Sequence, residues 1–254
     1  MVDKTASSRI DRLRWWNVTV GLILAAQAVM IAALTNGFTL PVTSTFMTGP
    51  PGSATHLHQL FGLRVGWGVV AFLAISAVSL LTVASPGVFD WYKRNLLEAR
   101  NYGRWIEYFF SSSIMMVLIV MLTGVSDIAA LLAIFGSNAA MILFGLLMEK
   151  YETPGRPSWL PFWFGSFAGI VPWLALAVYV WAPGVASSPP GFVYGIIASL
   201  FLFFNCFAVN MVLQYKKVGP WRDYLFGEKV YIILSLAAKA LLAWQVFFPT
   251  LTGK

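Results

Sequence analysis

The chain contains one cysteine, Cys206, in 254 residues, so an internal disulfide is impossible and its expected role is packing. Histidine is nearly as scarce: His56 and His58 are the only two. They would fall on one side of an extended strand, as metal ligands do, but no third ligand accompanies them and no metal site is assigned. Charged residues make up 11% of the chain, against about 25% in soluble domains. Internal repeats, low-complexity tracts and phosphate-binding glycine loops are also lacking. These shortages exclude a disulfide-stapled scaffold, a nucleotide-binding domain and a soluble globular enzyme.

Apolar residues fill the space instead, at 59% of the chain. A membrane span needs about 20 such residues to cross about 30 Å of hydrocarbon. Seven can be drawn, near 15–35, 62–84, 103–125, 127–148, 159–182, 191–215 and 230–248. The expected fold is an all-α membrane protein, one seven-helix domain over residues 1–254. Lys4, Arg9, Arg12 and Arg14 precede a run of full membrane length, so the first helix is expected to be retained. Trp15, Trp16, Trp91, Trp105, Trp159, Trp181 and Trp221 stand at span ends, where indole rings suit the headgroup level.

Orientation follows from the basic residues. Lys4, Arg9, Arg12, Arg14, Lys93, Arg94, Arg100, Arg104, Lys150, Arg156, Lys216, Lys217, Arg222 and Lys229 all lie on one side, leaving Arg64, Lys239 and Lys254. The positive-inside rule makes that side cytoplasmic, with an internal N-terminus and an external C-terminus. The net charge of +7 is mostly this topology signal, and because it is spread over four loops no nucleic-acid partner is expected. The connections are short except residues 36–61, whose Thr, Val and Phe flank a Gly-Pro-Pro-Gly turn and predict a small external β-hairpin.

One charge stands out against this background. Lys239 occupies the middle of the last span, at about 15 Å along the helix from Lys229. An ionisable group at that depth costs roughly 2.5 to 3.5 kcal/mol on insertion scales. Two uses would retain it: an ion pair with Glu107, the other notable internal charge, or a desolvated nucleophilic amine suited to imine formation with an aldehyde. Helical side chains lean toward the helix N-terminus, so the nitrogen is directed toward the depth of Glu107. Ser235, one turn earlier on the same face, can hydrogen-bond either group.

The motifs Ser235-Leu236-Ala237-Ala238-Lys239, Arg104 to Met116, Ser126 to Gly145, Pro161 to Trp173 and Gly191 to Asn205 together resemble a retinal-binding rhodopsin, specifically a heliorhodopsin. The resemblance covers nearly the whole chain, and inverted topology is that family's distinguishing feature. It implies all-trans retinal held by Lys239 as a protonated Schiff base with Glu107 as counterion. Arg104 and Glu107 repeat the Arg-x-x-carboxylate spacing of microbial rhodopsins. Ser235 replaces the second carboxylate of pumping relatives, and Leu118 stands where pumps often carry a proton donor. The same resemblance places Tyr108, Ser111, Met115, Asn138 and Met141 along the chromophore, with Phe203 or Phe207 near its ring end.

The chain departs from the family in one respect. Heliorhodopsins often carry buried histidines on the first two helices near the Schiff base, whereas the stretches 22–27 and 76–83 here hold none. That leaves water, Ser76, Ser79 or Gln27 as substitutes for the proton acceptor that the resemblance implies. Arg104 has a structural alternative as a snorkelling interface residue, and Ser111, Ser112 and Ser113 as helix contacts. Asn138 and Asn205 require partners if buried. The expected function is a light-sensing photoreceptor that signals by conformational change, with the lipid bilayer, a second copy of the chain and a cytoplasmic signalling partner as its contacts. A light-gated or light-driven ion translocator is the alternative, and a retinal-independent membrane enzyme or transporter a third.

Overall fold

The computed structural model describes residues 4–181 and 191–252; Lys254 and the last residue of the predicted fifth span lie outside them. In chain order the elements are α1 (Lys4–Leu34), β1 (Thr39–Met47), β2 (Thr55–Arg64), α2 (Val65–Ala84), α3 (Pro86–Leu97), α4 (Tyr102–Leu122), α5 (Ile128–Tyr151), α6 (Leu160–Trp181), α7 (Gly191–Tyr215) and α8 (Tyr224–Thr252). A short 3-10 turn, Gly219–Arg222, joins the last two. All helices except α3 are long and apolar enough to cross a membrane. In α4 and α8, 61% and 50% of the span is buried inside the protein, against 22% and 28% in α6 and α7. α4 and α8 are therefore the axis of the bundle.

The predicted hairpin is present. β1 and β2 pair antiparallel from Thr39↔Arg64 to Met47↔Thr55, with an irregularity between Val42 and Thr43. Such a bulge re-aims the strand, and here Thr43 turns to the α4–α5 connection. Its N–H donates to Ser126 O at 2.8 Å and its hydroxyl lies 2.9 Å from that of Ser126.

The opposite end differs from the sequence expectation. The 85–101 connection is not a bare loop but carries α3, started by Pro86 at its first turn. Phe89, Tyr92 and Leu96 form its buried stripe at i, i+3 and i+7 spacing. α1 starts at Lys4 instead of near residue 15, and its added turns bury Ile10 and Leu13. Arg14 donates to Ala84 O at 2.8 Å and lies 4.4 Å from the Phe89 ring centre; Lys93 donates to Ser7 at 2.7 Å. Arg9 pairs with Asp223 ahead of α8. The basic residues thus fasten α1, α3 and α8 into one layer at this end.

Pro172 lies inside α6. Having no N–H, it leaves the carbonyl of Ala168 without its usual helical donor. Ser137 of α5 supplies one, its hydroxyl donating to Ala168 O at 2.7 Å. Capping is equally local: Asn101 accepts from Arg104 N at 3.1 Å at the start of α4, and Asp127 from Ala129 N at 2.9 Å at the start of α5.

Candidate functional site: a buried lysine on an aromatic cavity

Two polar stripes face each other across the axis. The cap Asn101 and then Arg104, Glu107, Tyr108 and Ser111 recur at helical spacing along α4; Glu228, Tyr231, Ser235 and Lys239 do so on α8. Lys239 Nζ lies 2.9 Å from Glu107 Oε1 and donates to Ser235 Oγ at 2.6 Å. Ser76 of α2 offers its hydroxyl to Glu107 Oε1 at 2.5 Å and to Phe72 O at 2.8 Å, so its single hydrogen chooses between two acceptors. The Tyr108 ring centre is 4.9 Å from Nζ. Lys239, Glu107, Ser235 and Ser76 are all buried, and an ion pair taken from water is tolerable only with this kind of hydrogen-bond completion.

Lys239 forms part of the wall of a cavity of about 330 Å³. Its aromatic lining includes Trp105, Tyr108, Phe162, Trp173, Phe204 and Phe207. From Trp105 to Met115 the wall follows α4 for ten residues, about 15 Å of helix. The volume is in the range of small-molecule sites, about 300–1,000 Å³. Glycines set its width: a Cβ at Gly169 would collide with Met141 Sδ, and one at Gly145 with the Trp105 ring.

Of the residues expected along a chromophore, Tyr108, Ser111, Met115, Met141 and Phe207 line this cavity together with Ser235 and Lys239. Phe203 does not; Phe204 takes the wall position, because one residue along a helix turns the side chain by about 100°. Asn138 is also off the wall. Its amide donates to Ser112 Oγ at 2.8 Å and Ser113 Oγ at 3.1 Å, clamping α5 to α4. Ser112 and Ser113 in turn bond Tyr108 O and Phe109 O one turn back, both at 2.7 Å. Asn205 bonds its own preceding turn, at Phe201 O, at 2.8 Å.

Arg104 corrects the expectation most. It neither snorkels nor borders the cavity, but is buried between Glu149 and Glu228. Its guanidinium donates to Glu149 Oε1 at 2.7 Å and to Glu228 Oε1, and stacks 3.8 Å from the Tyr231 ring centre. Glu149 also accepts from Trp105 Nε1 at 2.5 Å, Asn101 N at 2.8 Å and the Tyr224 hydroxyl at 2.7 Å. Trp105 is consequently a buried donor, not a headgroup anchor. Glu149 and Glu228 escaped sequence reasoning because each adjoins a lysine, Lys150 or Lys229, and reads as a loop charge. The available signal was spacing: Glu228 is seven and eleven residues before Ser235 and Lys239, on their face of the helix.

The heliorhodopsin family model matches residues 13–251. The chain belongs to the heliorhodopsin family. That makes it a retinal-binding microbial rhodopsin, a multi-pass membrane photoreceptor by family. Among solved structures, the light-driven proton pump rhodopsin of Coccomyxa subellipsoidea is similar at 17% identity and TM-score 0.60, covering 92% of this chain and 95% of that one. Cyanorhodopsin from a Tolypothrix cyanobacterium is similar at 13% identity and TM-score 0.65, covering 97% and 95%. At these identities the likeness concerns the fold. No curated protein matches the chain.

The cavity suits the family's retinal. A primary amine with a carboxylate beside it meets the needs of an aldehyde that becomes a charged imine, and aromatic walls meet those of a flat polyene. Ser111 Oγ, buried on that wall with no protein partner, is a polar atom left for whatever fills the space.

Proposed function

We propose that this heliorhodopsin is a light sensor in which Lys239 carries all-trans retinal, Glu107 is the counterion, and isomerisation shifts the bundle between two conformations. The observation that carries the reading is the buried Lys239 nitrogen on the aromatic cavity, with Glu107 at 2.9 Å. Retinal supplies light absorption and a change of shape. Glu107 compensates the positive charge at the nitrogen, while Ser235 and Ser76 orient nitrogen and carboxylate. Met115, Met141 and Phe207 shape the wall, and Tyr108 holds its ring against the nitrogen.

Sensing is favoured over ion translocation by what lies between Lys239 and the hairpin. Leu118, Ile119, Leu242, Val246 and Phe247 fill that half and are all buried. Among the described acidic residues, only Asp127 belongs to the hairpin side, and it is engaged as the cap of α5. A proton path from Lys239 to that surface would need carriers that these side chains do not supply. In the orientation given by the basic residues the hairpin is external and the α3 layer cytoplasmic. Lys93, Arg94, Lys150, Arg156, Lys216, Lys217 and Arg222 then form a basic cytoplasmic surface for an acidic signalling partner or anionic lipid, presented by a homodimer.

The test is colour and current. Purified protein mixed with all-trans retinal should become visibly coloured, and Lys239→Ala should abolish the visible band. Illuminated vesicles should show changed probe mobility on the α3 layer without sustained current. A coloured Lys239→Ala protein refutes the attachment site; a steady, ionophore-sensitive photocurrent refutes the sensor.

A further inference from the structure

Asn210 of α7 is a buried amide, 1% exposed, that plays no part in the site described above. Its Oδ1 accepts from Trp221 Nε1 at 2.6 Å and its Nδ2 donates to Gly227 O at 3.2 Å, which ties α7 both to the 3-10 turn and to the first turn of α8. Gln214, one turn further along α7, donates to Tyr224 O at 3.2 Å. The helices approach closely here, because a Cβ at Gly227 would collide with the Gln214 amide. Two side-chain amides therefore hold the α7–α8 junction together.

Asn210 also has a second place to turn. Tyr231 of α8 stands beside it, and the Tyr231 hydroxyl is buried without a hydrogen-bond partner. An orphaned hydroxyl in a protein interior calls for a reason. The same tyrosine belongs to the wall of the large cavity, with its ring 6.1 Å from that of Phe207 and its carbonyl accepting from the Tyr108 hydroxyl at 3.3 Å. Tyr108 in turn faces the Lys239 nitrogen, its ring centre 4.9 Å away. Tyr231 is thus placed between the cavity and the amide.

Resting on the retinal reading above, we propose that Asn210 is a two-position latch: at rest it holds Trp221, and when light displaces the cavity wall it turns to the Tyr231 hydroxyl and releases Trp221 with the 3-10 turn. Each position has its own partner, as a bistable element requires. Leaving Trp221 loses one hydrogen bond and reaching Tyr231 gains one, so the two positions lie close in free energy and a small shift of Tyr231 chooses between them. The far end of the turn stays fixed, because Asp223 is paired with Arg9 of α1. The segment set free is exposed and basic, carrying Lys216, Lys217 and Arg222, with Arg222 Nε donating to Lys217 O at 3.3 Å.

A nitroxide label at position 218, exposed beside the turn, tests the proposal in the full chain: Val218→Cys carries it, in a Cys206→Ser background that removes the only native thiol. Reconstituted with all-trans retinal, the labelled protein should be mainly immobile in the dark and gain a mobile component in light. Trp221→Phe keeps the ring that packs on Phe226 but removes the N–H. It should raise the mobile-to-immobile ratio in the dark by about two- to tenfold, the equivalent of one net hydrogen bond, and leave the visible band where it is. Tyr231→Phe removes the second position, so a coloured Tyr231→Phe protein should keep the dark mobility and lose most of the gain in light. An unchanged dark ratio in Trp221→Phe, a full light response in coloured Tyr231→Phe, or a coloured parent protein whose label ignores light overturns the proposal. Should Trp221→Phe fail to fold, the light response of Tyr231→Phe decides. A chain that never colours refutes the underlying reading instead, and the dark comparison of Trp221→Phe with its parent, which needs no chromophore, then judges the latch by itself.

Discussion

Replacing Arg104 by Met tests the electrostatic account of the α3 end of the bundle most directly. The substitution keeps an unbranched apolar stem but removes the one cation between Glu149 and Glu228, whose side chains, like that of Arg104, are at most 6% exposed. Two carboxylates would then face each other in the buried interior, and the stacking on Tyr231 at 3.8 Å would be lost as well. Removing one partner of a buried pair costs about 3–5 kcal/mol, chiefly because the other charge is left uncompensated. At about 2–4 °C per kcal/mol for a chain of this size, the midpoint of thermal unfolding should fall by about 6–20 °C. Scanning calorimetry or fluorescence in detergent, without added retinal, measures this independently of any chromophore. Adding Glu228→Gln to Arg104→Met should recover part of the loss, since it removes one stranded charge. A midpoint within about 2 °C of wild type in Arg104→Met, where the estimate demands at least about 6 °C, would refute the reasoning.

Glu107→Gln should convert the retinal-reconstituted protein to a near-ultraviolet-absorbing form at neutral pH, because the amide no longer compensates the charge at Lys239; an unchanged spectrum and alkaline titration would require another counterion. Tags at the two termini should be accessible only at the C-terminus in intact cells, and labelling of the N-terminus would overturn the orientation. Gly169→Leu should reduce retinal uptake several-fold while leaving the fold intact by circular dichroism, since a side chain there runs into Met141 on the cavity wall; wild-type uptake would show that this wall yields.

The membrane class, the seven spans, the hairpin and the meeting of Lys239 with Glu107 were all legible in the amino-acid sequence. Each is a local property. A run of apolar residues reports its own transfer energy, turn residues report backbone conformation, and a lone lysine at mid-span demands an acid at similar depth. The family motifs added the chromophore, which no residue pattern alone would have named. Tertiary structure decided the rest. Arg104, Glu149 and Glu228 look like three loop-edge charges, yet become one buried cluster because residues 45 and 124 positions apart are brought into contact. Hydropathy averages along one helix and prices each charge as if it faced lipid or water, so it cannot register a partner on another helix. The same limit explains α3, whose apolar stripe is too short to signal a span, and the exchange of Phe203 for Phe204 on the cavity wall. A helix pattern gives the face to within a residue or so; only the packing of α7 against its neighbours fixes which ring points inward.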